Sequence, residues 1–378
     1  NSGKRYRIAT DKDLQIFKEA EKYLEHKRVK LIEEWGFDPI PNEEIPYKLA
    51  NIAIRARHYG VDDFGSFYNS RQKLALITFT EKVRLAYKKM VEEGYNEEYA
   101  KAVMSYLALN FDTLASYLVS LARYRGDTQS IERSFDRQAI SMVWDYGEVN
   151  PFGMSRGDWN NILAWILKVI EHCSHIYLSA TITTQGTATK LPYPDNFFDA
   201  VITDPPYYDN VPYSYLSDFF YVWLKRILGD IYPDLFITPL TPKSEEIVAY
   251  PDRGGKRYFE DMLKKAFKEI YRVLKPNGIA IIVYAHKSVA GWETLINSLL
   301  DSGLTVTASW PIHTEMKNRL RAQGSAALAS SIYIVARKIE KIPIGFYKDV
   351  KEKLSAYLNS KLEQSWREGI SGADFFIS

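Results

Sequence analysis

The residues best suited to chemistry form the segment Asp204-Pro205-Pro206-Tyr207, which follows the apolar run Ala200-Val201-Ile202-Thr203. The apolar run predicts a buried strand, because short β-branched segments bounded by turn residues are typical of parallel sheets. Each proline lacks an N–H and fixes φ at about −65°, so the pair ends the strand stiffly, with carbonyl oxygens directed outward. Ligands of open α/β sheets bind beyond the carboxyl ends of the strands, so we expect this segment to lie at a ligand site.

The side chains of this segment indicate chemistry on the exocyclic amine of a nucleobase. Such an amine is a poor nucleophile, because its lone pair is delocalised into the ring. The Asp204 carboxylate and the Pro205 carbonyl can accept its two N–H hydrogen bonds, which localises the lone pair, and Tyr207 can stack on the base. The alternative is a strand-ending turn in which Asp204 caps a neighbour and Tyr207 belongs to the core.

The segment 202–207 resembles the catalytic signature of amino-methyltransferases that use S-adenosylmethionine (SAM). The longer run 204–224, DPPYYDNVPYSYLSDFFYVWL, resembles archaeal and bacterial adenine-specific DNA methylases whose full-length forms carry a zinc ribbon. The resemblance implies SAM as the cofactor, DNA as the partner, and adenine N6 as the methylated atom, with cytosine N4 as a variant. It also places Tyr208 and Asn210 in the base pocket. Two alternatives stay open: guanine-N2 methylation of RNA, and a non-catalytic DNA-binding piece of a split methylase.

The same resemblance makes three further residues candidates for substrate binding. Glu148 and Asn150 lie in an aromatic and acidic segment, 144–152, and are candidates for the rim of the active site. From the residues alone this segment is equally a capped turn. Glu315 follows a predicted strand where such methylases shape the target pocket, and it can either hydrogen-bond a flipped base or cap a loop.

The cofactor site is the incomplete part of this interpretation. Gly186, Thr187 and Ala188 resemble the family segment that passes the adenine ring of SAM, although Thr187 stands where the family often has an aspartate. The glycine-rich SAM loop of the family is not found. We therefore expect the chain to be part of a larger or split methylase, in which a missing N-terminal part or a second polypeptide supplies that loop.

Composition narrows the remaining classes of function. The 49 lysines and arginines nearly balance the 47 acidic residues, so DNA contact must come from local patches. One candidate patch is an arginine-rich segment interleaved with aromatic residues, for which a solvated loop is the alternative; its arginines are Arg123, Arg125, Arg133 and Arg137. A single cysteine excludes an internal disulfide framework and a zinc ribbon within these residues, and it suits a reducing cytosol. We expect no metal site, and no apolar run is long enough to span a membrane.

Periodicity predicts an α/β protein with a Rossmann-like, mainly parallel and possibly incomplete methyltransferase sheet, preceded by a helical region. Helices are predicted near 10–35, 70–94, 97–121, 159–173, 214–228, 257–274 and 290–302. Strands are predicted at 176–183, 198–203, 279–284, 304–310 and 331–336, with a turn at 275–278. The expected domains are an N-terminal helix and connection (1–65), a helical region for target recognition or insertion (66–175), the catalytic domain (176–340) and a C-terminal helical extension (341–378).

Overall fold

The computed structural model describes residues 6–47, 54–135, 139–153, 155–175, 181–206, 211–250, 254–286, 289–312, 331–339 and 346–367. The chain divides into two compact units, one made of residues 1–181 and 212–244 and the other of residues 182–211 and 245–378. Each unit has its own hydrophobic core. The protein is mixed α/β, and its N-terminal region is helical as the sequence predicts.

The first unit is built mainly from α-helices, most of which begin and end close to where local sequence signals place them. They are α1 (Asp11–Trp35), α2 (Ser70–Glu92), α3 (Glu97–Tyr117), α4 (Trp159–Ser174) and α5 (Tyr213–Leu228). Asn69 caps α2 through its side chain, which accepts a hydrogen bond from the Gln72 N–H, and Gln72 returns one to the Asn69 N–H. α3 ends at Tyr117, earlier than its apolar stripe predicts. Leu118, with φ −84° and ψ 51°, is no longer helical.

The core of the first unit contains α5, although the sequence places this helix inside the predicted catalytic domain. Trp223 of α5 is fully buried and donates from Nε1 to the Tyr68 hydroxyl at 3.1 Å. The Phe219 ring lies 5.8 Å from that of Phe67. The apolar face of α5 therefore belongs with the N-terminal helices, a long-range pairing that helical periodicity does not specify.

The arginine-rich segment forms a short antiparallel hairpin where the sequence suggested a loop. Its strands are β1 (Arg123–Arg125) and β2 (Ser130–Glu132). The Glu132 carboxylate accepts from both Arg123 and Arg125, at 2.7 Å each. These two arginines are consequently engaged within the hairpin, while Arg137 lies outside the described residues.

The second unit contains a four-stranded sheet with α6 (Gly255–Val273) and α7 (Val289–Asp301) packed against it, and an exposed helix, α8 (Tyr347–Arg367). Its strands are β3 (Phe198–Thr203), β4 (Leu274–Tyr284), β5 (Leu304–Ile312) and β6 (Ser331–Lys338), in the order β3-β4-β6-β5. β3 and β4 pair in parallel, whereas β6 is antiparallel to both of its neighbours. The sheet is mixed rather than mainly parallel, because apolar runs predict strands without specifying their direction. The predicted strand at 176–183 falls partly outside the described residues, and 181–183 is not a strand.

β3 lies at an edge of the described sheet, which corrects the expectation of a buried central strand. Val201 packs against the core, but Ile202 on the opposite face is 70% exposed. A β-branched run suits either position, so burial on both faces could not be inferred from residue types alone.

The predicted turn at 275–278 is absorbed into β4 as an irregularity. Phe198 pairs with Leu274 and Ala200 with Ile279, so between the two pairs β4 has four residues where β3 has one. A Cβ on Gly278 would lie 2.7 Å from Leu274 Cδ1 and 3.0 Å from the Asp199 carbonyl oxygen. Glycine is needed here for close packing.

Within the described residues, no helix has both the length and the apolar character that a membrane span requires.

Candidate active site

Asp204 follows the last residue of β3, at the carboxyl end of the strand. Its side chain is exposed, and within the described residues it makes no hydrogen bond or ion pair. Pro205 and Pro206 are half-buried and continue the chain without secondary structure. An exposed, unengaged carboxylate at a strand end is available to an approaching hydrogen-bond donor. Tyr207, Tyr208 and Asn210 lie outside the described residues.

The carboxyl end of β4 lies beside Asp204, because the two strands are parallel and Thr203 pairs with Ile282. β4 ends two residues later at Tyr284, and His286 follows. The described part of this sheet edge therefore carries one carboxylate and one imidazole. Sequence reasoning missed His286, although a polar ring two residues beyond a predicted strand was a readable signal.

The His286 backbone and ring are closely held. The indole Nε1 of Trp292 donates to the His286 carbonyl at 3.0 Å, and the ring of Tyr284 stacks on the imidazole at 6.3 Å. Gly291 at the start of α7 lies against the imidazole so closely that a Cβ there would be 2.2 Å from Nδ1. The position of the imidazole is consequently set by α7.

The predicted cofactor residues form a tight exposed turn in the same unit. The Lys190 N–H donates to the Thr187 carbonyl at 3.1 Å, and the Thr187 and Thr189 hydroxyls are 3.0 Å apart. Gly186 and Ala188 are exposed. A Cβ on Gly186 would meet nothing closer than 3.8 Å, so no close approach of the surrounding protein requires glycine here.

The chain that follows this turn is anchored to α6. Arg272 donates to the carbonyls of Leu191 and Tyr193 at 3.0 and 2.8 Å, and the Leu191 N–H donates to Glu269 at 2.8 Å. Hydrogen bonds from Arg272, followed by the Leu191 N–H, hold the pKa of Glu269 below its usual value. This anchoring gives the turn a fixed base on the second unit.

Glu148 and Asn150 belong to the first unit, where both are engaged in hydrogen bonds. Glu148 forms a two-armed ion pair with Arg71 of α2. The Asn150 side-chain oxygen accepts from the Phe152 N–H at 3.0 Å, and the Asn150 carbonyl accepts from the Gly153 N–H at 3.0 Å. The segment therefore has the geometry of the capped turn that its residues indicated as an alternative.

The remaining predictions concern Glu315, metal binding and the cysteine. Glu315 lies outside the described residues. Across the described part of the chain, no three histidine, cysteine, aspartate or glutamate side chains are grouped closely enough to hold a metal ion. The one cysteine, Cys173, is exposed and unpaired by a disulfide.

The chain matches no protein-family model, and no curated protein resembles it significantly in sequence.

Proposed function

We propose that this protein is a SAM-dependent methyltransferase acting on an exocyclic base amine of DNA, with adenine N6 as the preferred atom. The observation that supports the proposal is the exposed Asp204 carboxylate, free of hydrogen bonds within the described residues, at the carboxyl end of β3. A carboxylate that only capped its own turn would be engaged with neighbouring N–H groups. The two prolines that follow make the backbone there stiff.

In this proposal the chain's own residues bind and orient the amine. Asp204 accepts one N–H of the amine and the Pro205 carbonyl accepts the other, so the lone pair is directed away from both. Tyr207, from its place in the motif, stacks on the base and offsets part of the free energy of extruding it. Fixed orientation of an amine toward an electrophilic carbon supplies a large share of the acceleration of a displacement reaction.

For SAM, the proposal assigns residues of this chain to one end of the molecule only. The exposed turn at Gly186, Thr187 and Ala188 offers backbone polar groups to a heterocycle edge, as expected for an adenine contact. In the described part of the chain no glycine-rich turn follows a strand and opens a helix. SAM when bound supplies the methyl group; the rest of its site is proposed to come from a second polypeptide or an N-terminal part.

Transfer of a labelled methyl group from SAM to DNA and to RNA, measured in parallel, tests the proposal. The assay is run with this chain alone and with the product of any adjacent upstream reading frame added. We expect labelled N6-methyladenine in DNA, whereas N4-methylcytosine or N2-methylguanine in RNA would reassign the substrate. Calorimetry with SAM on the same samples shows whether the chain binds the cofactor by itself.

The role of Asp204 is tested with Asp204→Ala against Asp261→Ala, which removes an exposed acid from α6 of the same unit. By analogy with removal of one polar group that stabilises a transition state, Asp204→Ala should lower turnover by about 10²- to 10³-fold. Asp261→Ala should leave it unchanged. Equal turnover in the two variants would remove Asp204 from the mechanism, and no transfer under any condition would favour a non-catalytic DNA-binding piece.

A further inference from the structure

Two contiguous cavities of the first unit form one groove, which we call the α3–α5 groove. Their volumes are about 550 and 460 Å³, and they share Leu109, Thr113, Arg133 and Ile166. α3 supplies the floor, and α4 and α5 contribute to the walls. The combined size lies in the range of sites that take a small organic ligand.

The floor contains a buried acid, Asp112, whose Oδ1 receives no hydrogen bond from the described residues. Asp112 lines the groove and is 6% exposed, and its Oδ1 has no hydrogen-bond partner within the described residues. Burial raises the pKa of Asp112 well above the ordinary value, which favours the neutral acid. A neutral carboxyl presents one donor and one acceptor side by side. Buried polar groups are normally satisfied, so an acid that lines a groove and whose Oδ1 has no partner among the described residues makes the groove a candidate ligand site.

One wall of the groove is aromatic. Phe135 and Phe220 both line it, and their rings are stacked with centroids 4.9 Å apart and an interplanar angle of 28°. Both rings are only partly buried. A flat aromatic surface beside a hydrogen-bond donor and acceptor suits a planar heterocycle. Any nucleobase can stack on such a surface.

Two exposed arginines, Arg133 and Arg156, also line the groove. Arg133 and Arg156 line the second cavity, are exposed, and make no hydrogen bond or ion pair among the described residues. They differ in this from Arg123 and Arg125, which are paired with Glu132 in the β1–β2 hairpin. Unpaired guanidinium groups are preferred partners of phosphate, to which they donate in a two-armed geometry.

We propose that the α3–α5 groove binds a nucleotide unit, with its base stacked on Phe135 and hydrogen-bonded by Asp112, and its phosphate held by Arg133 and Arg156. The three chemical features of a nucleotide, a flat ring, a polar ring edge and an anion, each meet a matching group in one connected groove. This site lies in the first unit, and it does not depend on methyl transfer at Asp204.

Calorimetry of the whole chain with adenosine monophosphate, adenosine, ribose 5-phosphate and a short oligodeoxyadenylate tests the proposal. Adenosine monophosphate should bind more tightly than either of its parts, because base and phosphate are recognised separately. Tighter binding of the oligonucleotide with a steeper salt dependence assigns the nucleotide to a single strand, and tighter binding of the monophosphate assigns it to a free ligand. Absence of binding by both overturns the proposal.

Variants separate the two parts of the site. Arg133→Ala should weaken binding of adenosine monophosphate about tenfold, whereas Arg257→Ala, which removes an exposed arginine of α6, should leave it unchanged. Asp112→Leu should weaken adenosine about tenfold without changing ribose 5-phosphate. Asp112→Asn should bind within about threefold of the unaltered protein, since an amide also offers one donor beside one acceptor.

Three results would overturn the assignment. They are equal binding by Arg133→Ala and Arg257→Ala, unchanged adenosine binding by Asp112→Leu, and a loss in Asp112→Asn as large as that in Asp112→Leu. Arg133 is exposed, so its variant keeps the test valid even if a change at Asp112 disturbs folding.

Discussion

The guanidinium of Arg71 on α2 is paired through two N–H groups with the carboxylate of Glu148, and its Nε lies 3.1 Å from Oε1. The Glu148 side chain is 21% exposed and that of Arg71 is 44% exposed. Asn69, the cap of α2, donates to the same carboxylate oxygen at 3.5 Å. The pair therefore joins the segment 144–152 to the start of α2, and the hydrogen bonds to Glu148 raise the pKa of Arg71.

A double-mutant cycle of Arg71→Ala and Glu148→Ala should give a coupling energy of about 1 kcal/mol, measured by urea unfolding. This is the upper end for a partly exposed pair, since two N–H groups engage one carboxylate. The control pair is Lys101 and Glu98 on α3, in which the Glu98 side chain is 83% exposed, and its coupling should be clearly weaker. Coupling near zero at Glu148 would mean that the carboxylate is free for another partner.

All three guanidinium nitrogens of Arg226 on α5 donate hydrogen bonds, mainly to the connection that follows α1. It donates to the carbonyls of Asp38, Ile40 and Val222 at 3.0, 3.1 and 2.7 Å, and to Glu43 at 2.9 Å. The Arg226 and Glu43 side chains are 6% and 14% exposed. Removing the arginine would leave the Glu43 carboxylate and the carbonyl oxygens of Asp38 and Ile40 without this donor in a poorly solvated place.

Arg226→Met should lower the free energy of unfolding by about 3–5 kcal/mol, measured by chemical denaturation. The double variant Arg226→Met with Glu43→Leu should lose less, because no uncompensated charge is left. A double variant as unstable as the single one would show that the lost carbonyl hydrogen bonds, rather than the charge on Glu43, dominate.

Sequence signals within a few residues predicted the helices well, and long-range pairing explains most of the errors. The Asn69 and Gln72 capping box is local, so the start of α2 was readable. The partner of Glu148 lies 77 residues away on α2, and nothing near Glu148 identifies it. The burial of α5 in the first unit, through Trp223, was hidden for the same reason.

Strand order and direction were the weakest part of the prediction. The run ending at Thr203 is a strand, as predicted. Its position at the edge of the described sheet depends on which strands pair with it, and the run itself does not specify this. At the candidate site, Asp204 is exposed directly after the end of β3. His286 was missed because its place at the same end of the sheet as Asp204 follows from the parallel pairing of β3 with β4.

The buried acid Asp112 should make stability depend on pH. Burial raises the pKa of Asp112 in the folded protein, whereas the unfolded chain loses this proton at about pH 3.9. Between these two pKa values the folded state binds more protons, so the free energy of unfolding falls as pH rises, and it levels off above the folded pKa. Asp112→Asn should remove this part of the pH dependence, as followed by urea unfolding from about pH 4 to neutrality.

Asp112→Leu should raise the free energy of unfolding by about 1–3 kcal/mol at pH 7, because it removes a buried polar group that has no partner within the described residues. Asp158 is the matched control. It is also buried, but it accepts backbone hydrogen bonds from Ser155 and Asn161 at the start of α4. Asp158→Ala should therefore destabilise by about 1 kcal/mol. Destabilisation by both changes would indicate that Asp112 has a partner in the folded protein.

Gly291 on α7 should be intolerant of a methyl group. An added Cβ would lie 2.2 Å from Nδ1 and 2.4 Å from Cγ of His286, so the imidazole would have to move. Glycine to alanine within a helix ordinarily stabilises by about 1 kcal/mol, but the overpacking here should reverse the sign and destabilise by about 1–3 kcal/mol. Gly186→Ala, in the exposed turn of the same unit, should be nearly neutral.

The double variant Gly291→Ala with His286→Ala separates the clash from other effects of the methyl group. The hydrogen bond from Trp292 is made to the His286 backbone carbonyl, so it survives loss of the imidazole. With the ring absent, the added methyl group meets no obstacle from it, and the ordinary helical preference for alanine returns. Thermal unfolding of the four proteins of this cycle should show Gly291→Ala stabilising only when His286 is alanine; destabilisation in both backgrounds would place the obstacle elsewhere in α7.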